Sequence, residues 1–222
     1  PVSGTRSCER QLAWRIENME NLFKWWVAFE WALFDKVQNC GGRAACQDDA
    51  KTFSIMRSSQ FRAWNRELLE SYKEDLLYAQ AQGRNLLCEK YAYMMERTSP
   101  DEYQQIKDAL PVPSLEAQYL ADLICAAHVA WQEELAKRYP RLTGQGRPIR
   151  READAPGVTS FETYLRGELL TYSVETLRLY AAYVDKSQKE KINLCEQVLR
   201  NTVLRYGYPG LETAEEHQAK RA

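Results

Sequence analysis

Histidine is almost absent from this 222-residue chain, which holds only His128 and His217. The scarcity removes the usual di-iron pattern, in which facing helices contribute Glu-x-x-His pairs. It also leaves His128 as the one internal base for a Ser-His or Cys-His nucleophile. His128 lies beside Ile124 and Trp131 at helical spacing, which reads as a packed residue rather than a ligand. The six cysteines, Cys8, Cys40, Cys46, Cys88, Cys125 and Cys195, form no C-x-x-C pair, so neither structural zinc nor a secreted disulfide framework organises the fold. Cys40 and Cys46 flank Gly41-Gly42 and are near enough in sequence to meet, though isolated cysteines more often behave as small buried hydrophobes.

Long apolar runs are missing too. No stretch approaches the roughly 20 apolar residues that cross a bilayer, and the first residues lack a basic-then-apolar leader. The expectation is a cytoplasmic protein with no membrane partner; the start at Pro1 leaves open a leader removed upstream. Charge of one sign is not in excess either, with Lys+Arg 30 against Asp+Glu 31, so no nucleic-acid partner is expected. The chain contains no G-x-S-x-G, G-x-x-x-x-G-K or G-x-G-x-x-G word. Any chemistry therefore falls to Glu, Asp, Tyr and Arg. No cofactor or oligomeric state can be assigned.

What is present is helical periodicity nearly throughout, with 45% hydrophobic residues to build one sizeable core. The pattern predicts an all-α, single-domain bundle of about six to eight helices over residues 1–206, followed by a polar tail over 207–222 that frays or packs weakly. A long helical stretch from about Glu9 to Gln38 is closed by Asn39 and the glycine pair, and Asp48 or Asp49 caps the next helix. Ser99-Pro100 with Glu102 marks another start, Ser114 caps a long helix to about Tyr139, and Thr159 with Glu162 opens one through about Asp185. A last helix is expected from about Lys186 to Tyr206. Between them, residues 140–158 have no period and a basic middle at Arg147, Arg150 and Arg151, as in a solvated loop or a lid.

Several acids fall where the core should be. At about 100° per residue, Glu30 sits among Phe23, Trp26, Val27, Leu33, Phe34 and Val37. Glu168 falls among Phe161, Leu165 and Tyr172, with Glu175 on the same side, and Glu89 and Glu96 share a stripe with Leu86 and Tyr93. An unpaired buried carboxylate costs several kcal/mol, so each must be paired, protonated or bound to a cation. Two readings remain open. In one, Arg43, Arg57, Arg84, Arg166 and tyrosines satisfy the acids internally. In the other, the acids line a pocket for a small polar metabolite. A carboxylate-only site for magnesium or manganese is chemically allowed. Aromatic residues such as Trp26, Trp31, Tyr91 and Tyr172 are core first and pocket walls second.

The words GGRAACQDD, SQFRAW, GRNLLCEKYAYMME and SFETYLRGELLTYS resemble those of a bacterial family described only as a domain of unknown function, from about Glu30 to Tyr183. The resemblance implies a single bacterial domain and brings no activity. Its words contain Arg43, Gln47, Asp48, Asp49, Arg57, Glu89, Glu162, Arg166, Glu168 and Tyr172. The leading expectation is a small-molecule enzyme or binder built on a carboxylate-lined cavity. There Glu30, Glu89 and Glu168 serve as acid/base or cation-binding groups, and Tyr172 and Tyr91 orient by hydrogen bonds. Arg43 and Arg57 hold an anionic group, with Gln47, Asp48, Asp49, Glu162 and Arg166 completing the ligand set. The alternative is a non-catalytic regulatory or interaction module whose charges are locked in internal salt bridges.

Overall fold

A computed structural model of the chain describes residues 20–38 and 42–220. The expected start near Glu9, the Asn39 closure and the Cys40–Cys46 approach lie outside those residues. Among them the fold is all-α: the only β pairing is an isolated bridge between Ala155 and Val158.

Among the described residues eleven α-helices appear where six to eight helices were expected. They are α1 (20–34), α2 (Ala50–Phe61), α3 (Arg66–Ala81), α4 (Leu86–Thr98), α5 (Pro100–Ile106), α6 (Leu115–Arg138), α7 (Pro140–Thr143), α8 (Phe161–Leu169), α9 (Val174–Lys189), α10 (Leu194–Arg205) and α11 (Leu211–Ala219). The excess comes from short helices and from a break in one expected long one. Ser160, not Thr159, caps α8 by accepting from the Thr163 N–H. The helix then stops at Leu169, because Ser173 starts α9 by accepting from Thr176 N while donating its own N–H to Asp75. Two competing caps within one apolar run divide it. Lys191, at φ 58°, closes α9 beyond the expected boundary, and Asn193 caps α10. At α5 the Pro100 start holds, but the Ser99 side chain makes no capping bond.

The core is made by α3, α6, α8 and α9, on which Leu68, Leu76, Leu135, Leu169 and Leu177 are fully buried. Each such leucine contributes roughly 1.5–3 kcal/mol relative to exposure. Residues 207–222 were expected to be a weakly packed tail. Instead α11 buries Leu211 and Ala214 completely against α7 and α10. Two apolar residues one turn apart are joined by Glu215, which accepts from the free N–H groups of Arg141 and Leu142 at the start of α7. No helix of the described residues is long and apolar enough to cross a membrane.

Candidate functional site

The site begins with a glycine. Gly167 brings α8 so close to α4 that an added Cβ would stand 2.8 Å from Met94 Cγ and 2.9 Å from the Lys90 carbonyl oxygen. That approach sets the next residue, Glu168, against Lys90, whose Nζ donates to Glu168 Oε2 at 2.5 Å. Lys90 is itself only 2% exposed, and its ammonium lies 3.6 Å from the centroid of the Tyr164 ring.

Arg57 of α2 ties this pair to α1. Its Nε and Nη2 donate to the two oxygens of Glu30 at 2.5 Å each, and its Nη1 donates to Glu168 Oε1 at 3.0 Å and Gln60 Oε1 at 2.6 Å. Tyr72 donates to Glu30 Oε1 at 2.5 Å; Tyr172 and Gln60 Nε2 donate to Glu168 Oε1 at 2.8 and 3.1 Å. Two carboxylates thus face two cations, and α1, α2, α3, α4 and α8 all contribute. All four charged groups are buried.

The electrostatics follow from this closure. Burial alone would push the Glu168 carboxyl up, but the Arg57 charge and then the Lys90 charge hold it well below the usual carboxylate range. Burial opposes the Arg57 charge, yet Glu168 and Glu30 together hold its pKa well above the ordinary value. Burial, then the neighbouring glutamate, raises the phenols of Tyr72 and Tyr172, so both remain proton donors. Every oxygen of both carboxylates therefore accepts from a protein donor.

The remaining expected site residues are distributed elsewhere. Glu89 is buried but stands apart from the network, held by a two-pronged pair with Arg84 at 2.8 and 2.7 Å. Glu96 and Glu175, expected to face inward, are exposed. The buried side of α4 is centred on Leu86, Leu87, Lys90, Tyr93 and Met94, which turns Glu96 outward. The pivot residues build a turn. Arg43 bridges Asp35 and Asp48 at 2.6 and 2.8 Å and donates to the Gln47 carbonyl, and Gln47 Nε2 donates to the Phe34 and Val37 carbonyls past the end of α1. Asp49 caps α2 through Thr52 N. Tyr91 packs with Phe34 beside a second apolar cluster, its phenol pushed up by burial and then by Tyr164.

Glu162 and Arg166 lie on the other side of α8, where they line an open cleft of about 30 Å³ with Tyr93 and Arg97 of α4 and with Arg151. His128 is a satisfied core residue between the Ile124 carbonyl and the Tyr180 hydroxyl, each at 3.0 Å, and burial lowers its pKa to about 4. Among the described residues no group of three His, Cys, Asp or Glu side chains could hold a metal ion.

Lys90, Gln60 and Tyr72 belong to the network although none of the three was singled out as a site residue from the sequence. Lys90 was findable: Leu86, Leu87, Tyr93 and Met94, three and four positions away on each side, put it at the centre of the apolar stripe. Tyr72 carries the same signal, flanked by Leu68, Leu69 and Leu76, whereas Gln60 does not.

Fold and site together define a helical domain with a closed, charge-balanced ion network at its centre. The chain belongs to the family described as "Protein of unknown function (DUF4125)", whose model matches residues 20–216. No curated protein and no solved structure matches it.

Proposed function

We propose that this domain is a non-catalytic helical module, of the regulatory or interaction kind, in which the buried charges hold the helices in register. One observation carries the reading: Glu30 and Glu168 have both oxygens occupied by protein donors, from Arg57, Lys90, Gln60, Tyr72 and Tyr172. A general base needs a lone pair facing its substrate, and a cation site needs carboxylate oxygens free of competing cations. Here a guanidinium and an ammonium take those places. Such a network costs desolvation and is weak as a source of net stability, but breaking one member is expensive, which suits a device for helix register. A cytoplasmic setting is part of the proposal, supported by Cys46, an exposed free thiol.

The test is a thermodynamic cycle measured by chemical denaturation. Glu168→Gln leaves Arg57 and Lys90 facing Glu30 alone. Adding Lys90→Met restores the charge balance and is expected to recover at least half of the loss. A Glu168→Gln protein as stable as the parent, but unable to bind a metabolite that the parent binds, would overturn the proposal in favour of a ligand site.

A further inference from the structure

The cleft between α4 and α8 has a donor and charge pattern that the buried network lacks. Three arginines line it, and each is held to a carboxylate through Nε: Arg97 to Asp154 at 3.2 Å, Arg151 to Glu162 at 2.9 Å, and Arg166 to Asp122 at 2.7 Å. The anchors are themselves fixed. Asp154 accepts from Ser160 N and Thr163 Oγ1, and Glu162 accepts from the Arg151 main-chain N–H. With Nε turned to a carboxylate in every case, the terminal amino groups of the three guanidinium forks donate no hydrogen bond to a protein acceptor among the described residues. Surplus N–H donors in a cleft call for a ligand that brings acceptor oxygens.

Charge narrows the class. The three arginines are matched one for one by Asp154, Glu162 and Asp122, and Glu96, exposed on the rim, adds a carboxylate with no cationic partner among the described residues. Glu96 and Arg166 line the same cleft from α4 and α8. A bare oxyanion would satisfy the donors and deepen a local negative excess. A ligand that carries both a carboxylate and an ammonium answers both needs. We infer that this cleft binds the amino-carboxylate head of a zwitterion, an α-amino acid or its equivalent, with the carboxylate on the arginine forks and the ammonium on Glu96. A volume of about 30 Å³ in an open cleft receives the carboxylate, while the ammonium meets exposed Glu96 and the rest of the ligand stays outside.

The cleft shares no side chain with the buried network, so this inference and the proposed function fail separately. The intact chain, labelled with 15N, is titrated with glycine as the minimal head group, and in parallel with acetate, methylammonium and inorganic phosphate at constant ionic strength. Glycine is expected to give saturable shifts at the Thr163 and Gly167 amides and to bind at least tenfold more tightly than any of the single-charge or phosphate probes. Arg166→Gln and Glu96→Gln should each weaken it tenfold or more. Because Glu96 is exposed, its variant keeps the fold and removes stability as an explanation. Tighter binding of phosphate than of glycine, undiminished glycine binding by Glu96→Gln, or no saturable shift at these amides would each overturn the inference.

Discussion

Glu168 and Glu162 lie on one short helix, and their surroundings differ in kind. Glu168 is 4% exposed and bonded to Arg57, Lys90, Gln60 and Tyr172, donors from three other segments of the chain. Glu162 is paired with Arg151 at the wall of an open cleft whose arginine forks still have donors to offer. Both surroundings are rich in opposite charges. What separates them is solvent: in the closed network each charge depends on its protein partners alone, whereas in the cleft water, or a ligand in its place, completes the bonding. A closed ion network leaves little for a ligand to bond, whereas a half-satisfied arginine at a cleft still offers a donor.

The contrast is sharpest in stability. Glu168→Gln should cost about 3–5 kcal/mol in chemical denaturation, because it strands positive charge in the interior. The same substitution at Glu96 should stay within about 0.5 kcal/mol. Equal effects at the two positions would dissolve the distinction.

Acid tests the closed interior next, through His128 and then Glu168. The unfolded chain protonates a histidine near its ordinary value of about 6.5, but buried His128 resists protonation until about pH 4. Stability should therefore fall as pH drops through that window, by roughly 3 kcal/mol at 1.36 kcal/mol per pH unit, and this contribution levels off below it. Glu168, with its pKa depressed, adds a further loss starting below the ordinary carboxylate value of 4.5 and continuing to lower pH. His128→Gln should flatten the upper part of the denaturation profile between pH 6.5 and 4 and leave the lower part in place.

A smaller effect comes from the boundary between the regions. Gly167→Ala places a methyl group against the Lys90 carbonyl and Met94 Cγ and forces α4 and α8 apart. The expected cost is about 1–3 kcal/mol, together with altered chemical shifts at both the Lys90–Glu168 contact and the cleft. A variant as stable as the parent would mean that the close approach does not hold the two faces together.

Much of the architecture was readable in advance. Ser114 and Asp49 cap helices where residues of their type are strongest, and Glu30, Glu89 and Glu168 are buried as the 3.6-residue period requires. The reading faltered where two local signals competed, as at Thr159 against Ser160, or where a weak one was overruled by packing, as at α11. Glu96 was misplaced because a stripe drawn through Leu86 and Tyr93 alone ignored Leu87, Lys90 and Met94, which turn the buried face away from it by roughly 50° at about 100° per residue.

From the order of its residues alone, the chain settles that it is helical and where most helices begin, because each of these depends on neighbours within a turn or two; of the acids it turns inward, Glu30, Glu89 and Glu168 leave water while Glu96 and Glu175 do not. Which cation meets which acid is another matter. Arg57 joins residues 27 positions before it and 111 after it, and no local period carries such a pairing. Only the packing of α8 against α4 at Gly167 decides that Lys90 closes one side of that helix while the arginines of the other side remain open.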